Sequence, residues 1–159
     1  MKECSILGEN RFNVWTRERV AWRGVVIREG QLLLTYEVNT DQWFLPGGGL
    51  EEGESLETCV MRELAEETGY AVMPQERVLT IHEYYEQWRF VSHYFLCEAV
   101  GTVQRRLTER EAQVGLEPCW LPFEEAMAIF AKHADYADPD EMKRGAYLRE
   151  FTALCQVRA

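Results

Sequence analysis

The chain has 159 residues, of which 47% are hydrophobic and 12% aromatic, a composition typical of one globular domain and not of a disordered chain. Its formal net charge of −10 argues against a nucleic-acid backbone as the principal partner, because no basic stripe is present to displace counterions. No apolar run approaches the roughly 20 residues of a membrane span and no signal-peptide core follows Met1, so we expect a cytoplasmic protein without a membrane partner.

The first predicted element is a β-hairpin. Residues 1–16 carry little pattern, and their apolar side chains, including Phe12, are expected to form a first strand or to cover the sheet. Residues 19–28 and 31–36 are rich in β-branched and aliphatic side chains, and Glu29-Gly30 between them is a turn signal. We therefore expect two paired strands with one buried face.

A glycine-rich loop follows the hairpin. Residues 40–42 form a polar connection, and residues 43–46 lead into Gly47-Gly48-Gly49. Glycine has no Cβ atom and leaves its amide and carbonyl open to a ligand, although three glycines by themselves are more typical of a plain turn. The order is therefore strand, glycine-rich loop and helix.

The helix after this loop carries closely spaced carboxylates. Ser55 is a suitable N-cap and Gly69 a suitable residue to end the helix. Glu63, Glu66 and Glu67 stand at i, i+3 and i+4, where they repel one another and crowd the end of the helix that disfavours negative charge. Docking of the neighbouring apolar stripe would also draw them out of water. A divalent cation with oxygen ligands removes all three penalties, whereas the plain alternative is an acidic surface helix. The apolar stripe consists of Leu56, Val60 and Leu64.

Residues 48–70 resemble the Nudix box, Gly-x5-Glu-x7-Arg-Glu-U-x-Glu-Glu-x-Gly-U, in which U is a bulky aliphatic residue. Only the last position departs from the pattern, because Tyr70 replaces an aliphatic side chain outside the metal ligands. The length of the chain and the pattern around the box also suit a single Nudix domain over residues 1–159. The matching positions are Gly48, Glu54, Arg62, Glu63, Leu64, Glu66, Glu67 and Gly69.

The resemblance implies an α/β fold, an α/β/α sandwich with a mixed β-sheet, and a Mg²⁺-dependent hydrolase for which Mn²⁺ is a substitute. Arg62 is expected to pair with Glu54 and to orient the metal-ligating glutamates. The general base stays open between Glu63 and a loop glutamate. The loop glutamates are Glu109, Glu111 and Glu117, and the implied metal ligands are Glu63, Glu66, Glu67 and the Gly47 carbonyl.

The sequence pattern after the box predicts further strands, followed by two helices. Residues 71–74 are a connection, and residues 101–116 are a polar loop. A helix is expected from Pro122 through about Lys132, and a last helix from Asp138-Pro139. The remaining predicted strands are residues 77–85, 90–100 and 119–122.

The resemblance implies a small-molecule substrate, a nucleoside diphosphate linked to a second group X. Many relatives place a basic residue just after the second hairpin strand, where this chain has Tyr36-Glu37, which weakens the analogy to enzymes that remove damaged nucleoside triphosphates. Arg23 and Arg89 are candidate phosphate contacts, and Tyr84 and Tyr85 are candidate stacking partners for a base, although aromatic residues on strands more often pack in the core.

Two other functions fit the same fold. One is a nucleotide-sensing binding module without catalysis, which the intact box carboxylates disfavour. The other is an isomerase of isoprenoid diphosphates, which the absence of a Cys or His cluster disfavours. The five cysteines are odd in number and widely spaced and indicate reduced, packed thiols. Relatives commonly dimerise, so a homodimer is compatible with the resemblance.

Overall fold

A computed structural model describes residues 2–8, 14–136 and 141–158, and within these ranges eight strands form one mixed sheet. The strands are β1 (Lys2–Leu7), β2 (Arg17–Arg28), β3 (Gln31–Glu37), β4 (Gln42–Phe44), β5 (Gly47–Gly49), β6 (Tyr70–Tyr85), β7 (Trp88–Thr102) and β8 (Leu116–Pro122). The helices are α1 (Leu56–Thr68), α2 (Glu109–Gln113), α3 (Phe123–Ala131) and α4 (Glu141–Arg158), with a 3₁₀ segment at Lys132–Tyr136.

The strand order is β1-β6-β7-β2-β3-β4, with β5 added to β2 and β8 added to β3. β1 runs parallel to β6 and β2 runs parallel to β7, whereas the other paired strands are antiparallel. The sheet is therefore mixed, as predicted. The glycine loop forms β5 on the middle of β2, with Trp22 opposite Gly48 and Arg23 opposite Gly47.

The predicted hairpin is present as β2 and β3. Ile27 pairs with Leu32, and Glu29 and Gly30 between the strands have φ of 53° and 77°. A positive φ at both central residues is the requirement of a type I′ turn, whose twist matches that of the strands.

Two hydrophobic clusters cover the two faces of the sheet. Neighbouring residues of one strand point to opposite faces, so Val25 joins one cluster and Val26 the other. Helix α1 packs its predicted apolar stripe on the Val26 face, where Val60 and Leu64 are fully buried. Helices α3 and α4 cover the Val25 face. These two layers of helices complete the α/β/α sandwich.

Helix α1 begins and ends at the predicted residues. The Ser55 hydroxyl accepts the N–H of Thr58 at 3.2 Å, which satisfies one of the free amides of the first turn. Gly69 has φ of 78°, and its N–H donates to the carbonyl of Ala65 at 3.0 Å. Glycine adopts this left-handed conformation without strain, which explains why the helix ends there.

Three elements differ from the prediction. β1 lies at the edge of the sheet, paired with a strand far along the chain, whereas residues 1–16 show little local pattern. β6 begins at Tyr70, so residues 71–74 are strand and not a connection; register shifts within the β6–β7 pair interrupt its alternation. Part of the polar loop is helix α2, whose capping box joins Thr108 and Glu111.

Two predicted features lie outside the described residues: the contribution of Phe12 and the start of the last helix at Asp138-Pro139. Among the described helices, none has both the length and the apolar character needed to cross a membrane.

Candidate metal and active site

Arg62 lies at the centre of the box. Its Nε and Nη2 donate to the two oxygens of Glu54 at 2.6 and 3.0 Å, the predicted pairing in a bidentate geometry. Nη2 also donates to the carbonyl of Gly49 at 2.9 Å. Nη1 donates to Glu63 at 3.0 Å and to Glu66 at 3.2 Å. One guanidinium thus fixes the glycine loop and three carboxylates relative to one another.

Glu67 is a buried carboxyl beside the glycine loop. The residue is only 6% exposed, and its Oε1 accepts a hydrogen bond from the N–H of Gly47 at 2.9 Å. Burial raises its pKa to about 8, and although the Gly47 amide lowers it, the nearby charges of Glu111 and Glu63 raise it further. The positive charge of Arg23 opposes this rise but does not offset it.

Gly48 makes room for Glu63. A Cβ atom added to Gly48 would overlap the carboxylate of Glu63, so this side chain lies directly against the loop backbone. Burial raises the pKa of Glu63; the guanidinium of Arg62 opposes the rise, and the charge of Glu66 adds to it. The loop glycine is therefore needed for the position of an acidic side chain.

The three loop glutamates lie in different surroundings. Glu111 is close enough to raise the pKa of both Glu63 and Glu67, while its Oε1 accepts the N–H of Thr108 in the capping box at 2.8 Å. Glu117 lies 3.4 Å from a guanidinium nitrogen of Arg105. Glu109 is the exposed first residue of α2. Of the three, Glu111 is the one whose charge acts on the box carboxylates.

Arg23 is next to the glycine loop, opposite Gly47 on β2. Its Nη1 donates to the carbonyl of Leu45 at 3.1 Å and its Nε to the hydroxyl of Ser92 at 3.4 Å. The positive charge of Arg23 also lowers the pKa of Glu67. This candidate phosphate contact therefore lies beside the box.

The other candidate substrate contacts lie elsewhere. Arg89 pairs with Glu18 of β2, five residues from Arg23, or about 17 Å along the strand. Tyr84 is 7% and Tyr85 5% exposed. The hydroxyl of Tyr85 donates to Glu83 at 2.7 Å, the ring of Tyr84 lies 5.8 Å from that of Trp15, and Arg89 donates to Glu18 at 2.6 Å. The buried rings offer no open face to a base, and the Arg89 charge is paired.

Sequence reasoning missed two side chains of α4 that contact the segment before the glycine loop. The N–H of Trp43 donates to the Tyr147 hydroxyl at 3.0 Å, and the N–H of Leu45 donates to Glu150 at 2.6 Å. No local motif marks either contact, since they join residues more than 100 positions apart. The sequence offered one indication of such a contact, an acidic residue, Glu150, among the apolar residues on the buried face of the last helix.

The donor set of the box fits a hard divalent cation. Its side chains offer carboxylate oxygens, and the glycine loop adds backbone carbonyls, the ligands that Mg²⁺ prefers. Within the described part of the chain, no three acidic, His or Cys side chains converge in a metal-ligating arrangement. Glu63 and Glu66 instead turn toward Arg62, so they would have to reorient toward a cation.

Comparison with known proteins places this geometry in a family. The NUDIX domain model matches residues 17–144. The chain is 40% identical over 100 residues to a MutT-like protein of Streptomyces ambofaciens, covering 62% of this chain and 64% of that protein. It is 32% identical over 98 residues to an 8-oxo-dGDP phosphatase of Homo sapiens, covering 59% of this chain and 29% of that protein. The chain thus spans less than two thirds of the length of either relative.

The fold also matches a solved structure. A NUDIX hydrolase from Nitrosomonas europaea superposes with a TM-score of 0.59 at 24% identity, covering 83% of this chain and 88% of that chain. At this identity the likeness shows the fold, and it confirms the predicted α/β architecture. The family model spans most of the chain, including the entire box from Gly48 to Tyr70. The chain therefore belongs to the Nudix family.

Proposed function

We propose that the protein is a divalent-cation-dependent hydrolase that cleaves the diphosphate linkage of a nucleoside diphosphate joined to a second group X. The observation that carries the proposal is the buried Glu67 carboxyl, held by the Gly47 amide beside Glu63 and near Glu111. Buried acids with a raised pKa, here Glu67 and Glu63, are unfavourable for folding alone and favourable for binding a cation. Family membership supports the same reaction class.

In this proposal Glu63, Glu66 and Glu67 hold the cation together with the Gly47 carbonyl. When bound, Mg²⁺ or Mn²⁺ neutralises phosphate oxygens and lowers the pKa of a coordinated water. Arg62 keeps Glu54 and the loop in place while the ligating side chains turn toward the cation. Arg23 contacts a phosphate of the substrate, since its guanidinium is held at the Leu45 carbonyl and its charge lowers the pKa of Glu67.

We assign Glu111 as the general base that accepts a proton from the attacking water. It is the loop glutamate whose charge acts on Glu63 and Glu67. Glutamine is equally suited to the third position of a capping box, so Glu111→Gln removes the base while it preserves the N-terminus of α2. Loss of kcat in Glu111→Gln with unchanged Mn²⁺ binding supports the assignment. Unchanged kcat contradicts it and returns the role to Glu63, Glu109 or Glu117.

The substrate is a small nucleotide. The net charge of −10 disfavours the long polyanion of a nucleic acid, whereas a bound cation reverses the local field for a single diphosphate. The human relative is named for its action on a nucleoside diphosphate, 8-oxo-dGDP, which supports this class.

The test is turnover of a nucleotide panel with Mg²⁺ or Mn²⁺. The panel contains dNTPs, oxidised dGTP and dGDP, ADP-ribose, dinucleoside polyphosphates and nucleotide sugars, and Glu67→Gln is the control. Cleavage of one class that is lost in the variant supports the proposal and names the substrate. Turnover retained in Glu67→Gln contradicts the site. Binding without turnover indicates a binding module, and rearrangement without release of phosphate indicates an isomerase.

A further inference from the structure

Both backbone polar groups of Leu45 are held by charged side chains. The residue is fully buried; its N–H donates to Oε2 of Glu150 at 2.6 Å, and its carbonyl accepts from Nη1 of Arg23 at 3.1 Å. Two residues earlier, the N–H of Trp43 donates to the hydroxyl of Tyr147 at 3.0 Å. Tyr147 and Glu150 are three residues apart on one face of α4. Helix α4 therefore holds the segment that enters the glycine loop.

The carboxylate of Glu150 is itself fixed from behind. The residue is 0% exposed, and its Oε1 accepts the hydroxyl of Tyr94 and Nε of Arg149, the latter at 3.0 Å. Arg149 also donates to Glu83 at 3.0 Å. Burial acts to raise the pKa of Glu150, but Arg149 and Arg23 hold it below its usual value. Glu150 is therefore an ionised acceptor for the Leu45 amide, and both of its carboxylate oxygens are hydrogen-bonded.

The segment from Leu45 to Gly47 is short and constrained. The carbonyl of Pro46 accepts the N–H of Gly24 at 2.9 Å, and the proline ring fixes φ at this residue. The next amide, that of Gly47, donates to Glu67 at 2.9 Å. The Pro46 carbonyl and the Gly47 N–H belong to one peptide unit, which Gly24 holds on one side and Leu45 adjoins on the other. A displacement of Leu45 therefore tilts this unit about its bond to Gly24 and turns the Gly47 amide relative to the buried carboxyl.

We propose that Glu150 is a positioning residue for the cation site: by holding the Leu45 amide, it keeps Gly47 against Glu67. Through this contact α4 on one face of the sheet controls the glycine loop that α1 faces from the other. The inference rests on the proposed function, because the site that it adjusts is the one assigned there to the cation.

A role in stability alone makes a different prediction. Glu150→Gln keeps the side-chain length and one oxygen that can accept from Leu45. Its NH2 group then faces the donors of Tyr94 and Arg149, and the negative charge beside Arg149 is lost. Glu150→Asp keeps the charge but withdraws the carboxylate by about 1.5 Å, one carbon–carbon bond. If Glu150 serves only stability, Gln lowers Tm more than Asp and harms the site no less, because the buried charge of Arg149 loses one of its partners. If Glu150 positions the loop, Asp is the more harmful change for the site.

The experiment measures hydrogen exchange of the Leu45 and Gly47 amides, Mn²⁺ binding by calorimetry, and thermal unfolding, all on the full chain. For Glu150→Asp we expect exchange about tenfold faster and Mn²⁺ binding about tenfold weaker. For Glu150→Gln we expect both quantities within about twofold of wild type, with a lower Tm. The matched control is Leu154→Ala, which opens a cavity one turn further along α4 and leaves the hydrogen bonds of Glu150 in place. It should lower Tm and leave exchange at Leu45 and Mn²⁺ binding unchanged.

Equal losses in Glu150→Gln and Glu150→Asp, or unchanged exchange and Mn²⁺ binding in Glu150→Asp, would overturn the inference. These readouts need no turnover, so they separate this inference from the proposed function. A wild-type protein that binds Mn²⁺ but hydrolyses no member of the panel contradicts the proposed function, and the order of the two variants still decides the role of Glu150. A wild-type protein that binds no Mn²⁺ overturns both.

Discussion

Glu67, a proposed ligand of the cation, makes stability depend on pH. Its pKa is about 8 in the folded protein, against 4.5 in an exposed chain. Between these values the folded state keeps a proton that the unfolded state has lost. The free energy of unfolding without a cation therefore falls as pH rises, by about 1.4 kcal/mol per pH unit from this group.

Glu67→Gln should remove this slope. In a metal-free buffer the variant should have a higher Tm than wild type at pH 8 and a similar Tm near pH 4.5, because glutamine has no proton to lose. Its turnover should be lower by about 100-fold or more, since a proposed ligand is lost. Thermal unfolding at both pH values and kcat with Mg²⁺ measure the two effects. A lower Tm at pH 8 would show that the buried carboxyl stabilises the protein.

His93 has the opposite dependence on pH. Burial, with the charges of Arg77 and His82, lowers its pKa to about 4 from 6.5. The unfolded state binds the proton first as pH falls, so the stabilisation is complete above pH 6.5 and is lost toward pH 4. In the folded protein the imidazole ring stacks on the Trp22 ring, with the two ring centroids 4.0 Å apart. Its Nδ1 forms a hydrogen bond with the hydroxyl of Thr80 at 2.8 Å.

His93→Phe should keep the stacking on Trp22 and remove the titrating group. Although the variant loses the Thr80 contact at every pH, its Tm should fall less than that of wild type between pH 6.5 and 4.5. Thermal unfolding of both proteins at half-unit pH steps measures the difference. Parallel curves would mean that His93 does not contribute to acid sensitivity.

Side-chain pairs were predictable from sequence only where they are local. Arg62 and Glu54 could be paired beforehand because both belong to one motif, and the structure shows the pair. The contact between Leu45 and Glu150 spans 105 positions and depends on how α4 crosses the sheet. Only the fold brings such partners together, and therefore no spacing rule reveals them.

At the scale of elements, Gly48 and Gly49 of the glycine loop should respond differently to substitution with alanine. Neither Gly48 nor Gly49 has a positive φ. An alanine at 48 would displace the flexible end of Glu63, whereas the nearest atom to a Cβ at 49 is the carbonyl oxygen of Val20 at 3.9 Å. Gly48→Ala should weaken Mn²⁺ binding about tenfold or more while changing Tm by only a few degrees.

Gly49→Ala is the matched control for this prediction, and calorimetry with Mn²⁺ measures both variants. Mn²⁺ binding should change much less in Gly49→Ala, since its Cβ meets open space. Equal weakening in the two variants would contradict a specific contact between residue 48 and Glu63.

Helix α4 packs against β6 through Gly145. A Cβ atom there would overlap the hydroxyl of Tyr85. Gly145→Ala should gain about 1 kcal/mol of helix propensity, yet the protein should lose about 1–3 kcal/mol net, because a rigid ring and a helix must separate. Urea unfolding measures the change, and Tyr85→Phe combined with Gly145→Ala should restore part of it. A more stable Gly145→Ala protein would show that α4 can move freely.

Elements with strong local signals were predicted, and elements without them were not. α1 has a cap, an apolar stripe and a terminal glycine within one stretch, and the hairpin has a two-residue turn between β-rich runs. β1 pairs in parallel with β6, Lys2 with Leu79. Parallel strands are not joined by a short turn, so the local sequence does not reveal the pair. The first part of β6 was missed because register shifts break the alternation by which strands are recognised.

At the scale of the whole molecule, the net charge of −10 should make stability depend on salt. Repulsion among surface carboxylates opposes the compact state and is screened when the Debye length shortens from about 20–30 Å to below 10 Å. Raising NaCl from about 0.02 to 0.3 M should therefore raise Tm by a few degrees. Thermal scans across this range test it, with a zwitterion of equal osmolality as the control. A falling Tm would mean that surface pairs such as Arg158–Glu124 outweigh the repulsion.

The contact between α4 and the glycine loop has a consequence for synthesis. The box, with its own caps and apolar stripe, leaves the ribosome early and can form α1 on the first strands. Leu45, however, must wait for Glu150, which is translated 105 residues later, or roughly 5 to 20 s at ordinary rates. Until then the sheet face that α4 covers is open to water, chaperones and other nascent chains. The proposed cation site is thus completed by a residue that is translated long after the box itself.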